Sequence, residues 1–241
     1  MKRSTKWLSL LLAIALVFSL AACSGGSNPS PAPSSAPTEQ PAEAKRGGTL
    51  TLVSATNLSN VIGFPIAGGF VEQFSAGPAI ETLARYDKSG NVVGWLAKEI
   101  NVDAEGLTIV LKLNEGIKYH DGTDFNAQAV CDVWQIYKDN GYAAKFSNVE
   151  SFSATGEYEV TVKLTSWAYD TVDRICIEAG YMFSPTLFKE IGLEAMYTKI
   201  VGTGPFVMES YNVGDTINYK CNENYWIEGQ PYLDGITILM A

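Results

Sequence analysis

Histidine is almost missing from this chain: His120 is the only one in 241 residues. One imidazole cannot furnish a zinc site built on several, and there is no H-E-x-x-H to carry one. A Ser-His-Asp relay would have to use His120 within "KYHDGTDF", yet no G-x-S-x-G elbow and no S-x-x-K accompanies it. His120-Asp121-Gly122 reads instead as a turn, with glycine supplying the dihedrals that a side chain forbids. Phosphate-cradling loops are absent as well. "GTGPF" at 202–206 lacks the third glycine of a dinucleotide fingerprint and the lysine of a P-loop. Pro205 also deletes a backbone N–H that such a cradle would use. Asp121 and Asp124 are close in sequence, but solvated loop charges account for them without catalysis. No cofactor, no metal and no enzymatic step is expected.

Positive charge is scarce too. Lys and Arg total 17 against 26 Asp and Glu. Three of the basic residues, Lys2, Arg3 and Lys6, sit together before a stretch from Trp7 to Ala22 that has no charge. A nucleic-acid partner is excluded, because phosphate affinity needs clustered Lys and Arg. The uncharged stretch is 16 residues long. That is short of the ~20 needed to span a bilayer as a helix. A basic start, a short apolar run and small residues at its end make a secretory signal over residues 1–22. Leu20-Ala21-Ala22-Cys23 resembles the bacterial lipobox, which implies cleavage before Cys23 and lipid on its sulfur and on the new N-terminus. Loss of the signal leaves 14 basic and 26 acidic residues, a net charge of about −12.

Residues 23–44 hold the lipid anchor and a tether. Pro29, Pro31, Pro33, Pro37 and Pro41 are half of the chain's 10 prolines. The remainder is Ser, Ala, Gly, Thr, Gln, Glu and Asn, which cannot bury enough surface to offset ordering entropy. Extended at up to ~3.1 Å per residue, the tether lets a body stand on the order of 60 Å from a membrane. The expected location is the extracytoplasmic face of a cell membrane, cell surface or periplasm, held there by lipid.

The body, 45–241, is the size of one domain or one lobe. It carries Cys131, Cys176 and Cys221, an odd number with no C-x-x-C. Free buried thiols and a single disulfide are both open. Thr49 to Val53 alternates as a half-buried strand does. Pro78 at a first helical turn predicts a short helix over 79–86. Turns at Lys88-Ser89-Gly90 and at Asp103 to Gly106 separate strands. Asn126 caps a helix running to about Asn140, with Ala127, Val130, Val133, Trp134 and Tyr137 on its apolar side. A hairpin spans 148–164 with Thr155-Gly156 at its turn, Pro185 opens another helix, a second hairpin spans 205–221 around Val213-Gly214, and a last strand covers 235–239. Interspersed strands and helices give an α/β or mixed class. Open α/β sheets bind ligands outside the carboxyl ends of their strands. "NLSNVIGFPIAGGF" at 57–70, directly after the first strand, is therefore a candidate cleft wall, with "SWAYD" (166–170) and "GYMFSP" (180–185) as further candidates. Thr56, Asn57, Phe64, Phe70, Trp167 and Tyr181 are the candidate ligand-binding residues.

Several short motifs occur in a telling order: Gly47-Gly48-Thr49-Leu50, Ile80-Glu81-Thr82-Leu83, Trp95 to Glu99 followed by Gly106-Leu107-Thr108, Gly116 to Gly122 with Phe125-Asn126-Ala127, Gly202 to Phe206, Asn222 to Trp226 and Pro231 to Ile236. Together they resemble the peptide/nickel class (family 5) of extracytoplasmic solute-binding proteins, the capture subunits of ABC importers. The resemblance implies the first lobe of a two-lobe, type II periplasmic binding protein-like fold. It also implies capture of a small solute, peptides first among them, and delivery to an ABC permease in the membrane. Two residues depart from the pattern: Ile80 stands where the family has Tyr, and Ala129 where it has Asp. Family chains are about twice as long, so the second lobe and the segment returning to the first are expected to be missing here. A truncated or split lobe without transport of its own is the alternative, and a secreted lipoprotein hydrolase the remote one.

Overall fold

Two four-stranded sheets frame the structure, a computed structural model that describes residues 45–55, 62, 64–66 and 74–240. The first contains β1 (Thr49–Ser54), β10 (Phe206–Asn212), β11 (Thr216–Cys221) and β12 (Gly235–Met240) in the order β1-β12-β11-β10. β1 and β12 run parallel with Thr49 opposite Gly235, and the other pairs are antiparallel. The second sheet is wholly antiparallel. It orders β5 (Ala97–Asp103), β6 (Thr108–Leu113), β8 (Glu159–Leu164) and β7 (Val149–Gly156) as β5-β6-β8-β7. Two small ribbons join them: β2 (Glu81–Thr82) with β9 (Tyr181–Met182), and β3 (Ala84–Tyr86) with β4 (Val92–Gly94). Parallel and antiparallel strands interspersed with helices make the α/β class, with one mixed sheet.

Alternation explains the second sheet. Ile109, Leu111 and Leu113 of β6 and Val160 and Val162 of β8 are fully buried on one face, while their neighbours are not. Helix α1 (Ala127–Tyr137) lies on that sheet, chiefly against β7. Its start is fixed by Asn126, whose side-chain oxygen accepts the N–H of Ala129 at 2.9 Å. Such a cap is worth about 1 kcal/mol. Ala127, Val130, Val133, Trp134 and Tyr137 are all fully buried. Each large one contributes roughly 1.5–3 kcal/mol by leaving water. The Trp134 indole also donates to the Ile175 carbonyl at 3.1 Å, tying α1 to a distant turn. Pro185 opens α2 (Pro185–Met196), and Ser184 caps it by accepting from the Leu187 N–H at 3.1 Å.

Three expectations need correction. Residues 79–86 are not a helix. They form β2 and β3, because long-range partners take their backbone groups: Leu83 N–H donates to Gly180, and the Leu83 carbonyl accepts from Trp95 and Ala97. The 148–164 hairpin turns at Glu157-Tyr158, between β7 and β8, and not at Thr155-Gly156, which lie within β7. β1 is less covered than its alternation predicts. It is an edge strand, and Leu50 and Val53 stay 43% and 69% exposed while Leu52 packs on the core. The three cysteines of the body are free thiols, Cys131 and Cys176 buried and Cys221 half-buried. Burial pushes the Cys131 thiol up to about 11 and Cys176 further still.

Candidate functional site

Four sequence segments meet at one buried carboxylate. Glu81 on β2 is only 7% exposed. Its Oε1 accepts from Trp95 Nε1 at 2.8 Å and from the Tyr225 hydroxyl at 2.7 Å. Its Oε2 accepts from Thr203 Oγ1 at 2.8 Å and from Trp226 Nε1 at 3.1 Å. The Trp95 and Trp226 rings meet edge to face at 5.3 Å, and the Arg85 guanidinium lies 3.7 Å over Trp95. The close approach requires the glycines of "GTGPF". A Cβ on Gly202 would stand 2.2 Å from the Ala79 carbonyl oxygen, and one on Gly204 would stand 2.7 Å from the Pro78 oxygen. Burial raises the Glu81 pKa, opposed by the four donors. The Tyr225 hydroxyl is pushed up by burial and by the adjacent carboxylate, so it remains a neutral donor. Each carboxylate oxygen of Glu81 accepts two hydrogen bonds, which makes this a clamp between segments.

His120 sits beside the same turn. Its backbone N–H donates to the Gly202 carbonyl and its Nε2 lies 2.9 Å from the Gly204 carbonyl oxygen. A carbonyl only accepts, so Nε2 carries the hydrogen and Nδ1 is the bare nitrogen. Nδ1 is buried without a hydrogen-bond partner among the described residues. Burial lowers the His120 pKa and keeps the ring neutral. Among the described residues its hydrogen bonds go to backbone carbonyls. The groove alongside, about 700 Å3, is lined by Lys118, His120, Lys220, Cys221 and Asn222 among others. Both lysines are already paired, Lys118 with Asp124 at 2.5 Å and Lys220 with Glu209 at 3.7 Å. Lys220 stands opposite Gly235 at the start of β12, so the groove is at the end of the sheet away from the carboxyl end of β1. Among the described residues no group of three or more His, Cys, Asp or Glu could hold a metal ion.

The residues singled out from sequence fare differently. Thr56, Asn57, Phe70 and the lipidation residue Cys23 lie outside the described residues. Phe64 is fully buried, its ring 4.8 Å from Phe183 and 6.4 Å from Phe188. It is a core residue and presents no surface to a ligand, because α2 and the strand before it close over the ring. Tyr181 is half-buried on β9, with its carbonyl accepting from the Tyr137 hydroxyl at 3.1 Å and its own hydroxyl pKa raised by burial. Trp167 is half-buried and lines an apolar pocket of about 330 Å3 with Val92, Ile100, Val102, Tyr169, Val172 and Asp173. Tyr181 is not part of that lining, so these two candidates are not brought to one pocket. Sequence reasoning missed the Glu81 clamp. Its members Glu81, Trp95, Thr203, Tyr225 and Trp226 all lie in the ordered motifs quoted from the sequence, but nothing local showed that they meet.

Comparison with known proteins places these observations. The family model described as "Bacterial extracellular solute-binding proteins, family 5 Middle" matches residues 91–241. The glutathione-binding protein GsiB of Shigella flexneri is 33% identical over 155 residues, covering 63% of this chain and 30% of that protein. Among solved structures, the oligopeptide-binding protein AppA from Bacillus subtilis, in complex with a nonapeptide, superposes with a TM-score of 0.69 at 21% identity, over 83% of this chain and 41% of its own. NikA from Brucella suis, in complex with Fe(III)-EDTA, gives 0.66 at 22% identity, over 78% and 39%. The chain thus spans less than half the length of each.

Proposed function

This chain belongs to the bacterial extracellular solute-binding proteins of family 5, and from that premise we propose that it captures a peptide or peptide-like solute outside the cytoplasm for an ABC importer. The single observation carrying the proposal is the family match over residues 91–241. Relatives narrow the solute: one is named for glutathione, itself a tripeptide, and another is described holding a nonapeptide. Peptide recognition fits an acidic body without cofactor chemistry. Backbone hydrogen bonds hold an extended peptide, and roomy pockets accept its side chains.

In this reading the loop leaving the carboxyl end of β1 supplies one wall of the cleft, with Thr56, Asn57 and Phe70 as contacts and Tyr181 as a further contact. Its described residues are tied down from behind: Ile62 N–H donates to Tyr197 at 2.9 Å, and the Tyr142 hydroxyl donates to the Pro65 carbonyl at 2.8 Å. Closure between this wall and a second one is the state a permease would read. Cys23 holds the protein on the membrane by lipid, and residues 24–44 set its reach. Several acyl chains at ~0.8 kcal/mol per buried methylene make that attachment stable.

The test is native mass spectrometry of the full chain purified from its own membrane without refolding. A bound mass that fragments as a peptide supports the proposal. A bound metal chelate or sugar in its place, with no peptide displacing it, would overturn the peptide assignment.

A further inference from the structure

The apolar pocket at Trp167 arises where the second sheet ends. On β5, Val102 stands opposite Ile109 and Ile100 opposite Leu111. Ile109 and Leu111 are fully buried, whereas Val102 is 42% exposed. The core layer therefore runs out at this edge strand. Val92 from β4 and Trp167, Tyr169 and Val172 from the segment after β8 build walls around the gap but leave about 330 Å3 open. Tyr169 is 94% exposed, an aromatic ring held out at the rim.

Asp173 is the only charged residue in the lining. Its Oδ1 accepts from the Tyr86 hydroxyl at 2.5 Å, which fixes the carboxylate at the pocket. Its Oδ2 accepts none of the hydrogen bonds found among the described residues. The nearest guanidinium in sequence, Arg174, is turned elsewhere: it donates to Ser147 and Asn148 and pairs with Asp170 at 3.2 Å. Lys145 is engaged by Glu178. Among the described residues Asp173 thus has no ion-pair partner, beside an apolar hollow lined by two aromatic residues.

We infer that this pocket binds a primary ammonium group carried on an apolar body, the body filling the Val92–Val102–Trp167 hollow and the ammonium donating to Asp173 Oδ2. Aromatic faces attract a cation through the ring quadrupole. A charge-assisted hydrogen bond to the carboxylate supplies direction. An anion of the same shape meets only repulsion there. A second copy of this chain is disfavoured as occupant, since the chain carries a net charge of −9. The inference rests on this pocket's own lining and not on the transport reading, and its test does not depend on the transported solute.

The test uses the protein with 15N-labelled tryptophan, whose indole N–H signals, one for each tryptophan, are separable by NMR, with Trp167→Phe assigning one of them. Phenethylammonium is titrated against 3-phenylpropionate, a match in size with opposite charge. Expected are a saturable shift of the Trp167 signal with the amine, at least tenfold weaker binding of the acid, and at least tenfold loss of amine affinity in Asp173→Asn. Tyr169→Ala, a change at an exposed ring that leaves the fold intact, is expected to weaken the amine severalfold. Nα-acetyl-lysinamide is the third probe: tighter binding of it than of phenethylammonium assigns the site to a lysine of a protein partner, and the reverse to a free amine. No saturable shift, equal affinity for amine and acid, or an unchanged Asp173→Asn variant would each overturn the inference.

Discussion

Replacing Glu81 with Gln removes half of the clamp's acceptor capacity. One carboxylate oxygen becomes an NH2 group, which then faces either Trp95 and Tyr225 or Thr203 and Trp226. The hydroxyl of each pair can rotate to accept from the new amide. The indole cannot, so in either orientation one buried Trp N–H is orphaned. That costs about 1–3 kcal/mol. Relief of the buried charge offsets part of the loss of charge-assisted bonds. A net destabilisation of roughly 1–3 kcal/mol in a body of this size lowers Tm by about 2–12 °C. Urea unfolding followed by tryptophan fluorescence reads this directly, since Trp95 and Trp226 are themselves partners. Burial raises the folded pKa of Glu81 above its ordinary 4.5. Its contribution is therefore full below that value and is lost as pH rises through the folded pKa. The cost of the substitution should accordingly be largest at the acid end and shrink as pH rises through that window. A Glu81→Gln protein with wild-type stability at every pH from 4 to 8 would refute the reasoning.

Other outcomes follow from the same geometry. Gly204→Ala should lower the urea midpoint by at least the equivalent of ~2 kcal/mol, because its Cβ lands 2.7 Å from backbone atoms that cannot swing aside. His120→Ala should destabilise by about 1–3 kcal/mol through the lost bond to Gly204. The depressed His120 pKa gives wild type a contribution present above 6.5 and lost as pH falls through the folded value, and the variant's stability curve should lack that step. A water-soluble disulfide reagent should titrate Cys221 first in the native protein, with Cys131 and Cys176 reacting only on unfolding, as their burial dictates.

Local signals were readable where the local chain decides the structure. Asn126 with its apolar partners at helical spacing specified α1, Ser184-Pro185 opened α2, and Gly122, at a φ of +85°, made the turn after His120. Residues 79–86 misled because Pro78 and an apolar run are equally compatible with a helix. The outcome depended on Gly180 and Trp95, which no local window contains. The Glu81 clamp was invisible for the same reason: Thr203, Tyr225 and Trp226 are 122, 144 and 145 residues away. Phe64 looked like a ligand wall from its loop context, yet its ring packs into core against Phe183 and Phe188, more than a hundred residues on in the sequence. Candidate-site residues were the least legible part, since a solute-binding wall carries no catalytic signature and differs from ordinary surface only in what faces it.

Holding a solute without changing it is the central claim, and calorimetric titration of the full chain tests it most directly. Tri- to nonapeptides, glutathione and nickel–histidine serve as titrants, each recovered afterwards and weighed by mass spectrometry. The account predicts saturable heat with a peptide-class titrant that is recovered intact. Cleaved titrant, or no heat with any of them, would contradict it.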